Sequence, residues 1–470
     1  MSSSRVWLFL SPLALGLVTA VAADNDRTVI PNLVSFPNPS GVLRTFSATG
    51  RVNLTGPFFQ SLGTNGRSCA TCHQPSDGWS VSAKHVAERF EESRGLDPIF
   101  RTNDGSNCDH DVETATVEGR REAYSLLIGR GLIRIALPVP SDAEFEVVGV
   151  KNPYGCSETS TLSMYRRPLP STNLRFLSTV MWDGRESSTQ TGTKPITFAT
   201  NPSDLLFDLA HQALDATNGH AQAATPLTPQ QQREIVAFEF GLSTAQAIDA
   251  GAGALHGHGA EGGPVALFVQ PFFVGINDPL GQNPFMTPFT PKIFALFTPA
   301  WAASGHHGAD RRASILRGQT LFNSRPIDIT GVAGLNDATG RSLIKGTCGT
   351  CHDSFNVGNH SVSAPLNIGV SDVSGPLDVG YLPVITLRKK ADPSQTVSTT
   401  DPGRALITGK WEDIGKLKGP VLRGLAARAP YFHNGSAATL KEVLEFYDAR
   451  FDLHLTEQEK ADLAAFLSAL

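Results

Sequence analysis

The sequence contains little sulfur and a low proportion of charged residues. Its 470 residues include four methionines and six cysteines, and 18% of the residues are charged. The formal net charge of -5 gives no support for a nucleic-acid partner, because such a partner favours a strongly basic surface. Beyond the first 20 residues, no apolar run is long enough to span a bilayer, so we expect no membrane anchor in the mature protein.

The N-terminus has the pattern of an export signal. An apolar run over residues 6–20 follows Arg5, and small residues suited to cleavage come next. The pattern predicts a signal peptide over residues 1–23 and a periplasmic location. That compartment is oxidising, so Cys108 and Cys156, which stand apart from any short motif, are expected to form a disulfide.

The other four cysteines lie in two copies of one motif, Cys69-Ala70-Thr71-Cys72-His73 and Cys348-Gly349-Thr350-Cys351-His352. In such a motif the two thiols form thioethers with the vinyl groups of a haem, and the histidine becomes an axial ligand of the iron. A zinc site or a redox pair is the alternative, but neither explains a histidine directly after both pairs. The sequence therefore predicts two covalently bound haem c groups, with His73 and His352 as iron ligands.

Four sequence blocks occur in a characteristic order. The first CxxCH motif is followed by Trp182-Asp183-Gly184-Arg185, then by the second CxxCH motif, and then by Ala429-Pro430-Tyr431-Phe432-His433-Asn434-Gly435. In this order the blocks resemble the bacterial dihaem cytochrome c peroxidase and MauG superfamily. The resemblance covers roughly residues 55–75, 165–245 and 314–470.

The resemblance implies a mainly α fold with two cytochrome c-like haem domains, long loops and insertions. We expect an N-terminal, peroxidatic haem domain over residues 24–312. Its insertions would lie at about 76–160 and 247–312, which do not follow the family pattern. The electron-transfer haem domain would follow over residues 313–470.

The resemblance also implies a division of labour between the haems. Hydrogen peroxide would react at the haem on His73, and the haem on His352 would relay electrons. Trp182 matches the family tryptophan that lies between the two haems. From composition alone, a packing role for Trp182 is the alternative.

The sixth ligand of the second haem distinguishes branches of the superfamily. At the position where one branch has methionine, this chain has Tyr447, as MauG-like proteins do. The last of the four methionines is Met286, so none lies in the second haem domain. An anionic phenolate would stabilise ferric iron more than a thioether would. Packing of Tyr447 on the haem edge, without a bond to iron, remains the alternative.

Peroxide cleavage needs polar side chains on the open face of the first haem. The segment 209–213 resembles the family's Leu-Glu-Glu-Gln-Ala, which makes Gln212 a candidate. His220 stands where the family has glutamate, and its imidazole could carry the proton. The alternative is that both are ordinary polar residues near the end of a helix.

The sequence raises two further binding questions, one about His85 at the first haem and one about calcium. His85 could fold back over the first haem, although a surface histidine is the more ordinary interpretation. The family often binds calcium through the carbonyls of residues that match Arg428 and Pro430. The neighbouring asparagine is replaced here by Arg167 or Pro168, and a cation there would compete with calcium, so this calcium site is doubtful.

These observations predict a periplasmic dihaem oxidoreductase that reacts with hydrogen peroxide and works with an unknown redox partner protein or electron donor. Three alternatives remain. The protein could be a cytochrome c peroxidase fed by a small redox protein, a non-enzymatic dihaem electron carrier, or a haem oxygenase of organic substrates.

Overall fold

The computed structural model describes residues 28–156, 160–186, 198–304 and 307–470, so the predicted signal peptide lies outside the described residues. The α-helices are Ala83–Ser93, Val117–Ala123, Ser125–Arg130, Pro202–Gly219, Pro229–Phe240, Pro264–Phe268, Pro299–Ala302, Ala309–Ser324, Asn336–Thr339, Ala405–Thr408, Leu440–Phe451 and Glu457–Ser468. Short 3₁₀ turns occupy Pro57–Phe59, Cys69–Thr71, Pro75–Asp77, Leu174–Phe176, Cys348–Thr350, Trp411–Asp413 and Leu425–Ala427.

Strands contribute more than expected. They are Val29–Pro31, Phe36–Asn38, Gly41–Ser47, Arg51–Asn53, Ile133–Pro138, Phe145–Lys151, Thr161–Arg166, Leu242–Asp249, Gly253–Ala254, His256–Gly257, Ala260–Glu261, Ile327–Thr330, Leu343–Gly346, Val384–Lys389 and Thr396–Thr399. Among the described residues, helix of all types accounts for 31% and strand for 18%. The expectation of a mainly helical fold therefore holds only in part.

The sheets join distant parts of the chain. In the four-stranded sheet, Gly41–Ser47 pairs antiparallel with Leu242–Asp249, from Gly41 opposite Asp249 to Ser47 opposite Leu242. In the three-stranded sheet, Phe145–Lys151 pairs with Val384–Lys389. The segment 76–160, expected to be an insertion, is thus tied to the C-terminal half of the chain. Its two cysteines, Cys108 and Cys156, form the predicted disulfide.

Several helices begin at local capping signals. Thr228 accepts a hydrogen bond from the Gln231 backbone, and the Gln231 side chain returns to Thr228, which completes a capping box before Pro229–Phe240. Thr456 and Glu459 form the same arrangement before Glu457–Ser468. These reciprocal bonds satisfy backbone N–H groups that would otherwise lack partners at the helix start.

The last helix packs closely on Ala309–Ser324. A Cβ atom at Gly318 would lie 2.0 Å from the Asp462 carbonyl oxygen, so this approach requires glycine. The Asp462 carboxylate also accepts hydrogen bonds from Ser314 and Arg317 of the facing helix. Small size and polar contacts together fix this helix pair.

The largest hydrophobic core surrounds these two helices. It combines Phe294 with Phe322 and Phe466. The ring centroid of Phe294 lies 5.1 Å from that of Phe322 and 5.2 Å from that of Phe466. This core therefore includes residues on both sides of position 312/313, where we predicted a domain boundary. The division into two haem domains stays a prediction. Within the described residues, no helix has both the length and the apolar character needed to cross a bilayer.

Candidate haem sites

The first CxxCH motif presents its histidine in a fixed orientation. Cys69–Thr71 forms a 3₁₀ turn that is held by a capping box between Ser68 and Thr71. The Nδ1 atom of His73 lies 3.0 Å from the Trp79 carbonyl oxygen. Burial lowers the pKa of His73 to about 4, so the ring is neutral at pH 7. With Nδ1 donating to the carbonyl, Nε2 is the nitrogen left to bind a metal.

A cavity of about 170 Å³ adjoins this motif. Both predicted distal residues, Gln212 and His220, lie in its wall together with Cys69 and Cys72. Gln212 belongs to the helix Pro202–Gly219, and His220 is the residue that caps this helix. The cavity is otherwise mostly apolar, with aliphatic lining from Leu62, Ile133, Ile135, Leu169, Leu174, Leu177, Val180 and Leu209.

His220 is anchored by a buried carboxylate that the sequence did not indicate. Its Nδ1 atom lies 2.5 Å from Asp104 Oδ2, and Asp104 also forms an ion pair with Arg67. Although burial opposes ionisation, His220 and Arg67 lower the pKa of Asp104. Asp104 lies in the segment 76–160, and no local motif marks it.

The second CxxCH motif repeats the first arrangement. His352 Nδ1 lies 2.6 Å from the Gly358 carbonyl oxygen, and burial lowers the pKa of His352 to about 4. A cavity of about 240 Å³ adjoins this motif. Tyr447 lies in its wall, and its ring stacks on Phe451 with centroids 6.2 Å apart. Burial raises the pKa of the Tyr447 phenol, so the hydroxyl is protonated unless a cation binds it.

A second buried imidazole, from His433, lines the same cavity and was not among the predicted site residues. Burial lowers its pKa to about 4. Its Nε2 atom lies 3.3 Å from Ser371 Oγ and 3.6 Å from Asp401 Oδ2. The Pro-Tyr-Phe-His block was the available signal for this residue.

Trp182 lies in the walls of both cavities. Its indole Nε1 donates to the Arg167 carbonyl oxygen at 2.8 Å, and its ring centroid lies 6.0 Å from that of His433. The next residue, Asp183, is fully buried and forms an ion pair with Arg166, which also pairs with Asp401 at 2.7 Å. This ion network holds the Trp-Asp-Gly-Arg turn in place.

The two cavities fit haem c. Each places two free thiols beside a neutral imidazole whose Nε2 is unengaged. Lys418 and Arg428 lie in the walls of both cavities. Burial lowers the pKa of Lys418 to about 8. Anionic propionate groups would supply the counter-charge that such buried cations require.

Calcium does not fit the site that the resemblance implies at the carbonyl oxygens of Arg428 and Pro430. The guanidinium group of Arg167 donates from Nη2 to the Arg428 carbonyl oxygen at 2.9 Å and also to the Val81 carbonyl oxygen. Arg167 is buried, so a fixed positive charge already lies where the ion would bind.

His85 is placed away from the first cavity. It is not among the residues of the cavity wall, and its Nδ1 atom lies 2.5 Å from Asp77 Oδ1. The hydrogen bond to Asp77 raises the pKa of His85. This agrees with the more ordinary interpretation, a partly exposed histidine paired with a carboxylate.

Comparison with known proteins gives local matches. The model of the family described as "RoxA-like, cytochrome c-like" matches residues 417–454. The cytochrome-c peroxidase IdrP1 of Denitromonas iodatirespirans is 44% identical over 81 residues, which is 15% of this chain and 22% of the relative. IdrP1 of Pseudomonas sp. (strain SCT) is 36% identical over 91 residues, covering 17% and 24%.

In these segments the chain is similar to cytochrome-c peroxidases and to the RoxA-like cytochrome c family. The matched region spans about a quarter or less of the length of these curated relatives. A crystal structure of a MauG-like protein associated with microbial copper homeostasis is 16% identical, with 96% and 95% of the two chains covered. The TM-score of this structure with the chain is 0.36.

Proposed function

We propose that this protein is a periplasmic dihaem oxidoreductase that reacts with hydrogen peroxide at the first haem. The observation that carries the proposal is the shared wall of the two cavities, each of which contains a CxxCH motif. Trp182 occupies that wall, which supports a role for its indole between the two haems. When bound, haem supplies the electrons that reduce the peroxide O–O bond.

In the first cavity, this chain supplies a proton carrier and an amide. His220 is oriented through Nδ1 by Asp104, which leaves Nε2 to take a proton from one peroxide oxygen and deliver it to the other. Gln212 lies in the same wall and can orient the peroxide by hydrogen bonding. Such positioned proton transfer contributes typically about 10²–10⁴-fold in rate.

In the second cavity, we infer that Tyr447 and His352 would both bind the haem iron. The hydroxyl lies in a buried, aromatic wall, where burial keeps a free phenol protonated. Ligation by the phenolate would stabilise ferric iron and allow both haems to share the oxidising equivalents. A tyrosine ligand would make the protein resemble the MauG-like branch of the superfamily.

The test is the addition of one equivalent of hydrogen peroxide to the as-isolated diferric protein, followed by absorption and EPR spectroscopy. We expect the ferric signals of both haems to decrease together. A reaction that requires prior reduction of one haem would instead indicate a peroxidase fed by a small redox protein. If neither the diferric protein nor the protein with one reduced haem reacts, the proposal is refuted and a dihaem electron carrier is the better account.

A pair of variants tests the ligand assignment separately. Tyr447→Phe should change the EPR signal of the second haem and abolish the joint response. Tyr431→Phe is the matched control, because Tyr431 lines the same cavity while its hydroxyl donates to the Leu425 carbonyl oxygen at 3.1 Å. An unchanged EPR spectrum in Tyr447→Phe would show that the phenol packs without binding iron.

A further inference from the structure

A hydroxyl group and a carboxyl group follow one another on the Nδ1 side of the His73 ring. Ser171 Oγ lies 3.1 Å from His73 Nδ1. Ser171 is in turn the side-chain hydrogen-bond partner of Glu239. Both side chains are buried, and all three residues line the first cavity. The proximal imidazole of the first haem site is therefore linked through a hydroxyl to a buried acidic group.

The donors and acceptors along this series match in one direction. A neutral imidazole that binds metal through Nε2 has its single N–H at Nδ1. That N–H is shared between the Trp79 carbonyl oxygen at 3.0 Å and Ser171 Oγ. When Ser171 accepts this bond, its own O–H is free to donate, and an ionised Glu239 can only accept. The series therefore runs from imidazole to hydroxyl to carboxylate.

The position of Glu239 is costly for folding. It lies in the last turn of Pro229–Phe240, where the negative end of the helix dipole disfavours a carboxylate. Its Oε2 atom is buried without a hydrogen-bond partner, and burial raises its pKa to about 7. An acidic group that lowers stability in the wall of a cofactor cavity is typical of a functional site.

The second CxxCH motif lacks such a series in the described part of the chain. His352 Nδ1 has the Gly358 carbonyl oxygen as its partner at 2.6 Å, and there it has no side-chain partner. A backbone carbonyl fixes the ring but carries no net charge. The two proximal histidines therefore differ in the charge behind them, although their motifs have the same pattern.

We propose that Ser171 and Glu239 are positioning residues that give the His73 imidazole anionic character when it binds the iron of the first haem. A hydrogen bond from the distant ring nitrogen to a carboxylate raises the basicity of a ligating histidine. A more basic axial ligand stabilises the oxidised iron, which favours electron transfer from the iron to peroxide. This inference rests on the proposed peroxide reaction at the first haem and assigns the residues that tune it.

The test is a spectroelectrochemical titration of the haem-loaded protein at pH 8, where a carboxyl group with a pKa of about 7 is mainly ionised. Ser171→Ala and Glu239→Gln should each raise the reduction potential of the first haem. We expect the ferric–ferrous equilibrium to change about tenfold, which is about 59 mV for a one-electron couple. The second haem is the internal reference and should change less. An unchanged first-haem potential in Glu239→Gln would overturn the proposal.

A double-mutant cycle separates the hydrogen-bonded series from a charge that acts through space. In the Ser171→Ala background, Glu239→Gln should have little further effect, because the hydroxyl that transmits it is gone. An equal effect in both backgrounds would refute the assignment to Ser171. Ser171→Thr keeps a hydroxyl and should retain the wild-type potential.

Glu234→Gln is the matched control, because this residue is exposed on the same helix and should leave both potentials unchanged. The titrations contain no peroxide. A protein that fails to react with peroxide but shows the expected potentials would therefore contradict the proposed function and leave this assignment in place.

Discussion

Replacing Glu239 by glutamine should stabilise the protein at neutral pH and have little effect in acid. Glu239 lies in the wall of the first cavity with 5% exposure, and its Oε2 atom is buried without a partner. Burial raises the pKa of this carboxyl from its ordinary value of 4.5 to about 7, although a hydrogen bond to Ser171 opposes the shift. The folded protein therefore retains a proton that the unfolded chain has already released.

The sign and size of the effect follow from this difference. Below about pH 4.5 both states are protonated, so Glu239 has no influence on stability. As the pH rises towards 7, the unfolded chain ionises first and the free energy of unfolding falls. A pKa rise from 4.5 to about 7 corresponds to about 3 kcal/mol, which is fully developed above pH 7. Glutamine keeps the shape but cannot ionise.

Denaturant unfolding of the haem-loaded Glu239→Gln variant and the wild type between pH 4.5 and 8 provides the assay. The difference in unfolding free energy should grow in favour of the variant across this range. Glu234→Gln, an exposed substitution on the same helix, is the control and should show no such trend. The reasoning would be refuted if the difference in unfolding free energy between Glu239→Gln and the wild type did not change with pH, or if it favoured the wild type at pH 8.

Three other predictions concern stability and metal binding. Arg166→Met removes the guanidinium group that pairs with both Asp183 and Asp401, and only Asp183 keeps a second arginine, Arg185. The free energy of unfolding should therefore fall by about 3–5 kcal/mol in a denaturant titration, and a loss below about 1 kcal/mol would contradict the buried network. Replacing Cys108 and Cys156 by alanine removes the disulfide that closes a loop with a sequence separation of 48. In the same assay, the free energy of unfolding should fall by about 4 kcal/mol relative to the oxidised wild type, and the variant should match the reduced wild type. Because Arg167 occupies the site formed by the Arg428 carbonyl oxygen, calorimetry should detect no calcium binding there, and EGTA should leave the haem spectra unchanged. Saturable calcium binding that changes when Arg428 is mutated would contradict this prediction.

Local signals in the sequence located several helices closely. Thr228 followed by Pro229 marks the start of the helix Pro229–Phe240, and the capping-box pair Thr456 and Glu459 marks the start of Glu457–Ser468. Capping bonds connect residues three positions apart, so the sequence contains both partners. The strand Leu242–Asp249 had no such signal, because its partner Gly41–Ser47 lies about 200 residues away.

The candidate sites show the same contrast. The CxxCH motifs and the Trp-Asp-Gly-Arg block are contiguous, so their residues could be named from the sequence. Asp104, which orients His220, lies 116 positions away from it and belongs to no motif. Ser171, whose hydroxyl lies beside His73 Nδ1, is 98 positions away from that histidine.

The sequence by itself determined the two haem-attachment motifs, the cysteine pair outside them, and helix starts that depend on neighbouring residues. The tertiary structure decided which distant side chains complete each cavity, how the imidazole of His220 is held, and that Arg167 occupies the carbonyl site. The physical reason is that covalent attachment and helix capping act over a few residues. Burial, ion pairing and cavity shape depend on segments that only folding brings together.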